Sequence, residues 1–511
     1  MRLNILIGGK AGQGINKVSE IVQNVLTKQG YFSFNYRDYE SLIRGGHNFN
    51  VLSISDKWIA SNDSTILGII ALDENTIEKH KKTLDKGGFI ISYDSKEFEG
   101  LGRNLNIALA GALIKVLGIE KNVLIEEIKK EFDSKEAIEA AERGYGSEKE
   151  KFNLKKLNNK IKVMTGNQGI AQGCIDSGIN LHLAYPMTPA TGVLHELAAR
   201  QTENCDFQVF QPENEIAVAN MGIGASFAGS KVMVGTSGGG FDLMTEALSF
   251  AGMSEIPLVF YLAARPGPGT GVPTYTCQAD LDDALKSGHG EFARLVVAPG
   301  DPIECIENTN EAFYLAEKFG IPAIVVSDKH LAEGEYSLDK NANKTINIEV
   351  KRKLPGKNSI VKASSYEHDK FGNSVEDAET TKKNADARIK KYSELKKECK
   401  KFDMIKIHGK QNSKNLIIGW GSTKGAILDA MQGIDCKFLQ VLYIKPMSDE
   451  IRKEIEKAKK VVVIENNSTG QLGRIIREKT GIKLEKRILK YDGRPFWHDE
   501  LKKDIEEWVK K

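Results

Sequence analysis

The stretch KVMVGTSGGGFDLMTEALSFAGMSEIPLVFYLAAR, residues 231–265, decides the fold. Its ends, KVMVGTS and PLVFYLAAR, are short apolar runs of strand character. Between them Gly238, Gly239 and Gly240 turn the chain into FDLMTEALSFAGMS, which reads as a helix. Strand, glycine turn, helix and strand in so short a span are the signature of a parallel sheet with crossover helices. The expected class is α/β.

Outward from this stretch the same alternation spans residues 161 to about 335. Residues 1–155 open with the strand LNILIGG and the glycine loop KAGQG. The helix INKVSEIVQNVLTKQG follows, in which Ile15, Val18, Ile21, Val22 and Val25 recur at helical spacing. The lysine-rich GSEKEKFNLKKLNNK (146–160) reads as a linker. Residues 336–412 are polar with few aliphatic positions, which predicts an irregular connector ending in an exposed charged helix. From 413 to 511, NLIIGWGSTKGAILDAM, KFLQVLYIKPM and KKVVVIENNSTGQLGRIIREKTG restore the rhythm in a third α/β domain.

Composition narrows the function classes. The net charge of +3 is negligible against 72 basic and 69 acidic residues, so no nucleic acid or membrane partner is implied. No apolar run approaches a membrane span, and MRLNILIGGKAGQG enters its glycine turn too soon for a signal peptide. Six cysteines stand singly, without a C-x-x-C pair, which points to reduced thiols, a cytoplasmic location and no metal or iron–sulfur ligand set on this chain.

The loop GGKAGQG matches neither G-x-G-x-x-G nor a phosphate loop ending in G-K-[ST]. It is read equally as a tight turn and as a ligand loop. Arg44, before Gly45, Gly46 and His47, is a surface arginine or a contact for an anion or a neighbouring subunit. In LAYPMTPATG (183–192) Pro186 and Pro189 stiffen the backbone around Thr188, and Thr191 is expected to cap the following helix. Arg265 ends a strand and should emerge at the carboxyl edge of the sheet, where α/β ligands bind. QPENEIAVANMGIGASFAG (211–229) offers Glu213 and Glu215, which on the residues alone equally suit the dipole of a helix N-terminus.

In order along the chain, these segments resemble one family, the 2-oxoacid:ferredoxin oxidoreductases, in the form of an α subunit with a γ domain fused at its N-terminus. GGKAGQGI and RGGHNFNVLSIS are similar to the γ domain. YPMTPAT, PENEIAVANMGIGASFAG, GTSGGGFDLMTEALSFAG, RPGPGTGVPTYTCQADL and HGEFARLVVAPGD resemble the α domain that grips the pyrimidine of thiamine diphosphate. GWGSTKG, NSTGQLGRIIRE and YDGRPF resemble its C-terminal domain, of transketolase C-terminal type. The resemblance implies a three-domain α/β chain and CoA-dependent oxidative decarboxylation of a 2-oxoacid, with ferredoxin as acceptor. It implies that Glu215 activates the thiamine ring and that Tyr185, Pro186, Gly238 and Gly239 adjoin the cofactor. Thr188 and Arg265 are implied to position the substrate, with Arg265 clamping its carboxylate, and Thr270 to line its site. The family's R-G-G-P-S-T-G is R-P-G-P-G-T-G here, which loses a serine hydroxyl.

No G-D-G motif with a following asparagine pair occurs in the chain. The resemblance therefore places the diphosphate and Mg2+ site and a 4Fe–4S cluster on a β subunit, in an αβ or (αβ)2 assembly, and implies that this chain alone is inactive. 2-Oxoglutarate or a broad range of oxoacids is favoured by the fused layout. The alternatives are specificity for pyruvate, branched-chain oxoacids or indolepyruvate, a nucleotide-dependent dehydrogenase, and a non-catalytic scaffold.

Overall fold

The computed structural model describes residues 1–42, 45–203, 206–357 and 359–510. Arg44 lies outside the described residues. The chain forms two compact units, one of residues 1–164, 334–341 and 497–503, the other of the remainder.

The first unit is built on a mixed seven-stranded sheet. Its order is Leu84–Ser92, Ile66–Ala71, Arg2–Ala11, Gly45–Ser55, Phe32–Asp38, Glu335–Leu338 and Lys162–Thr165. The helix Ile15–Lys28 buries Ile15, Val18, Ile21, Val22 and Val25, the stripe that its spacing predicted. Gly14, at φ 86°, forms the turn into this helix. Gly8 and Gly9 lie within the strand Arg2–Ala11 rather than in a loop.

The second unit holds two sheets. The larger runs Tyr443–Lys445, Leu295–Val297, Pro322–Asp328, Leu258–Ala264, Val232–Thr236, Leu181–Ala184 and Gln208–Phe210. All neighbours are parallel except the first pair, where Tyr443–Lys445 runs antiparallel to Leu295–Val297. The smaller sheet runs Ile405–Gly409, Lys437–Val441, Asn415–Trp420, Lys460–Glu465 and Arg487–Leu489. Side chains of both sheets, among them Val234, Phe260, Ile324, Trp420, Leu439 and Val463, share one apolar core.

A buried ionic cluster crosses the same junction. Lys424 pairs with Asp301 and, at 2.7 Å, with Glu304, which also accepts from Gln440 Nε2 at 2.6 Å and Gly300 N at 2.8 Å. The lysine charges hold the Glu304 carboxyl below its ordinary range against the cost of burial.

Residues 336–412 are more ordered than their composition predicts. They begin within the strand Glu335–Leu338, and Ile405–Gly409 is the edge strand of the smaller sheet. Between these lies the helix Ala378–Cys399, which buries only Leu395 and Cys399 and is otherwise charged surface. Among the described residues no helix is long and apolar enough to cross a membrane.

Candidate active site

Three neighbouring strands of the larger sheet deliver the singled-out residues to one edge. Leu181–Ala184, Val232–Thr236 and Leu258–Ala264 are parallel and in register, with Ala184 opposite Gly235 and Leu262 opposite Thr236. Their carboxyl ends therefore open together into Tyr185–Thr191, Ser237–Gly240 and Arg265. This is where ligands bind in open α/β sheets.

Thr188 is fixed through its backbone. Its carbonyl accepts from Arg265 Nη1 at 2.9 Å, and the carbonyl of Pro189 accepts from Asn167 Nδ2 at 3.0 Å. Asn167 is itself held by the Tyr261 hydroxyl, which donates to its Oδ1 at 2.8 Å. The Thr188 hydroxyl makes no hydrogen bond to the protein among the described residues. Burial lowers the pKa of the Arg265 guanidinium, and the charges of Asp280 and Glu215 oppose that shift. Thr191 is not the cap expected of it: Ala190 occupies the cap position and Thr191 is the first helical residue. The chain is already helical at Ala190, so the threonine comes one residue too late.

Glu215 opens the helix Glu215–Phe227 after the cap Asn214, whose side chain accepts from Ala217 N at 2.9 Å. It is 3% exposed, and its Oε1 has no hydrogen-bond partner. A dipole-complementing surface glutamate would face water. An unpartnered buried carboxylate oxygen is instead costly, and native interiors seldom tolerate one without a ligand or function. Gly240 is what leaves room for it: a Cβ there would stand 2.6 Å from Glu215 Oε1 and 2.0 Å from Thr236 Oγ1. Glu465 makes the contrast within this unit. It is fully buried and accepts from Trp420 Nε1, Asn467 Nδ2 and the backbone amides of Leu472 and Gly473.

Sequence reading did not single out Asp280. It occupies the cap position of the short helix Leu281–Lys286, yet its side chain makes no capping bond. Gln471 does so instead, its Oε1 accepting from Leu281 N at 3.0 Å and Asp282 N at 3.3 Å. Asp280 is thereby released towards the glycine turn. A Cβ on Gly238 would lie 2.5 Å from its Oδ2, which is buried without a partner. Burial, then the negative charges of Asp283 and Asp242, push its carboxyl up to about 7, against the pull of Arg265.

Glu215, Arg265, Asp280 and the turn Gly238–Gly240 thus converge, with Thr188 tied to Arg265. Thr270 is not tied in: it is exposed and makes no hydrogen bond among the described residues, although the neighbouring Gly269 carbonyl approaches Gly239. Tyr185 and Pro186 are exposed at the rim. In the same unit Phe210, Ile216, Met221, Leu243 and Val272 are 43–51% exposed. On the helix Glu215–Phe227, Ile216, Asn220 and Gly224 form an open stripe at helical spacing. Among the described residues no three His, Cys, Asp or Glu side chains gather as a metal site.

Comparison with known proteins agrees with this architecture. Residues 172–403 match the family model "Pyruvate flavodoxin/ferredoxin oxidoreductase, thiamine diP-bdg", and residues 4–100 match "Pyruvate ferredoxin/flavodoxin oxidoreductase". The 2-oxoacid:ferredoxin oxidoreductase subunit alpha of Saccharolobus solfataricus is 30% identical, over 100% of this chain and 98% of that one. The 2-oxoglutarate synthase subunit KorA of Methanocaldococcus jannaschii is 32% identical over 62% of this chain and 91% of its own length. Among solved structures, the 2-oxoglutarate:ferredoxin oxidoreductase of Magnetococcus marinus, with 2-oxoglutarate, coenzyme A and succinyl-CoA bound, superposes with a TM-score of 0.88. It is 26% identical and the match covers 99% of both chains. With a 30% identical α subunit matched along its length added to a carboxyl-edge site on a parallel sheet, the chain belongs to the 2-oxoacid:ferredoxin oxidoreductase family as an α subunit.

Proposed function

We propose that this chain supplies the aminopyrimidine-gripping half of an enzyme that oxidatively decarboxylates a 2-oxoacid to its acyl-CoA and passes the electrons to ferredoxin. The observation that carries the reading is the buried, unpartnered Oε1 of Glu215. Thiamine diphosphate, when bound, supplies the carbon nucleophile and the electron sink for decarboxylation.

The residues of this chain prepare that chemistry. Glu215 is the acceptor for the protonated ring nitrogen of the pyrimidine, a contact that would satisfy its lone oxygen. Gly240 keeps the space above it open. Arg265 spends one N–H on the Thr188 carbonyl and keeps the rest of its fork for a carboxylate. The same bond holds Thr188 in place, so its free hydroxyl can donate to the substrate. In this reading Tyr185, Pro186, Gly238 and Gly239 line the cofactor, and Thr270 belongs to the substrate side.

The remaining parts fall to a β subunit: the diphosphate and Mg2+ site and the iron–sulfur cluster. The stripe Ile216, Asn220 and Gly224 is the surface offered to that partner, in an αβ or (αβ)2 enzyme. The domain roles follow the same reading, with residues 1–155 as the γ-type domain, 161–335 as the pyrimidine domain, 336–412 as the connector and 413–511 as the C-terminal domain. 2-Oxoglutarate or a broad substrate range is favoured by the named substrates of the M. jannaschii and M. marinus relatives.

Co-expression with a β-type chain tests this. CoA-dependent dye reduction across 2-oxoglutarate, pyruvate, branched-chain oxoacids and indolepyruvate should appear only in the complex, and Glu215→Ala should lower kcat by about 10²–10⁴-fold. Unchanged activity in that variant would assign the chain a scaffold role.

A further inference from the structure

Three buried polar atoms around the glycine turn Gly238–Gly240 have no partner among the described residues: Glu215 Oε1, Asp280 Oδ2 and the hydroxyl of Ser237. Ser237 is fully buried at the cap position of the helix Gly238–Leu243, where its side chain makes no capping bond. Unpaired buried atoms are rare in native interiors, and three at one turn mark it as built for something beyond packing. Glu215 faces the cofactor in the proposed function, which leaves Asp280 without a part. Its position is nonetheless set from two sides. Gln471 takes over the capping of Leu281 and Asp282, and the absence of a Cβ on Gly238 makes room for Oδ2.

Asp280 and Arg265 act on each other's charge without touching: each favours the ionised form of the other, yet among the described residues no ion pair joins them. Arg265 is bonded only to the Thr188 carbonyl, so the rest of its guanidinium is unspent. The other groups that act on Asp280 are Asp283 on the helix Leu281–Lys286 and Asp242 on the helix Gly238–Leu243, both of which favour its protonated form. Cys277, three residues upstream, senses the Asp280 charge; burial and that charge push its thiol up to about 12, so it keeps its proton at neutral pH. Glu215 already sets one carboxylate near Arg265. An ionised Asp280 adds a second, and a bound 2-oxoacid would bring a further negative charge to the same cation.

We propose that Asp280 is a positioning residue that sets the affinity of Arg265 for the substrate carboxylate: protonated, it leaves the guanidinium to the 2-oxoacid, and ionised, it competes with the 2-oxoacid for it. The inference rests on the role proposed for Arg265 at this site. A carboxyl in water would be ionised at every pH at which the enzyme works and would compete constantly. Asp280 instead changes state near neutrality, because burial and two acidic neighbours oppose its charge. Substrate binding therefore weakens as pH rises through that point, while the substrate carboxylate itself stays ionised throughout.

The test is steady-state kinetics of the complex with a β-type chain, using 2-oxoglutarate and pyruvate in parallel. Between about pH 6 and pH 8.5 the wild-type KM for the 2-oxoacid should rise about tenfold, whereas in Asp280→Asn it should stay near the wild-type value at the acid end. The difference should fall on KM and not on the pH course of kcat. Calorimetric titration of the same complexes with oxamate, a non-reacting mimic of a 2-oxoacid, should show the same loss of affinity in the wild type and none in the variant. Asp283→Asn, on an exposed residue, removes a charge that helps Asp280 keep its proton, so the rise in KM should begin at lower pH; this variant carries the test if Asp280→Asn fails to fold. A wild-type KM and oxamate affinity that do not vary with pH, an equal variation in Asp280→Asn, or an unshifted rise in Asp283→Asn overturns the inference alone. A complex without activity on any 2-oxoacid overturns the thiamine reading and this inference with it.

Discussion

Replacement of Asp280 by Asn isolates one proton and can be followed without any substrate. The folded chain holds the Asp280 carboxyl at about 7, against an ordinary 3.8. At about 1.4 kcal/mol per tenfold, that difference has a ceiling of about 4 kcal/mol. The ceiling is lowered in practice because solvent reaches part of the side chain. Below about pH 4 the group is protonated in both folded and unfolded chains and contributes nothing. As pH rises towards 7 the unfolded chain releases this proton while the folded chain retains it, so stability declines by up to about 1.4 kcal/mol per pH unit. Above 7 the full penalty is present and the curve flattens. Asn carries no such proton, so the stability of Asp280→Asn relative to wild type should grow through this window and then level off. Asp283, also raised by burial and acidic neighbours, is common to both proteins and largely cancels. Denaturant unfolding of the two proteins between about pH 5 and pH 9 measures the difference directly. A constant offset across that range would show that Asp280 is ionised in the folded chain throughout, and would refute its description as a buried acid released from capping.

Other substitutions probe the supports of the site. Asn167→Leu leaves the Pro189 carbonyl without its partner, at about 1–3 kcal/mol, and the Tyr261 hydroxyl with Ser327 alone; thermal unfolding should show the loss, and kcat of the assembled enzyme should fall with it. Gly240→Ala puts a methyl group against Thr236 and Glu215, with an overpacking cost of about 1–3 kcal/mol; the thiamine diphosphate concentration needed for half activation should rise about tenfold. Lys424→Met takes the main cation from the buried carboxylate of Glu304, while Asp301 is partly exposed and keeps its bond from Glu304 N; a loss of about 3 kcal/mol is expected in denaturant unfolding, held down because Lys406 still reaches Glu304 at 3.1 Å.

What could be read from the sequence was what local pattern controls. The alternation around residues 231–265 anticipates the parallel strands, and the stripe from Ile15 to Val25 anticipates the buried face of its helix, because both depend on near neighbours. Glu215 could be named, but its burial could not, since an acid at a helix N-terminus looks the same in sequence whether it faces water or a cavity. Asp280 was concealed for a related reason: an aspartate before a helix reads as a cap, and the residue that displaces it, Gln471, lies far along the chain. The strand Glu335–Leu338 was hidden in a polar segment because its pairing with Phe32–Asp38 spans some 300 residues. Asn167 sits in MTGNQG with no motif to mark it, although it holds the Pro189 carbonyl beside Thr188.

The strand Tyr443–Lys445 completes a sheet whose other members all precede residue 329. A gene cut anywhere in the intervening segment would thus give fragments that need each other: the upstream piece would carry a raw hydrogen-bonding border at Leu295–Val297, and the downstream piece the ribbon that seals it. Expressed separately, the upstream fragment should self-associate or precipitate; expressed together, the two should be recovered as a non-covalent pair.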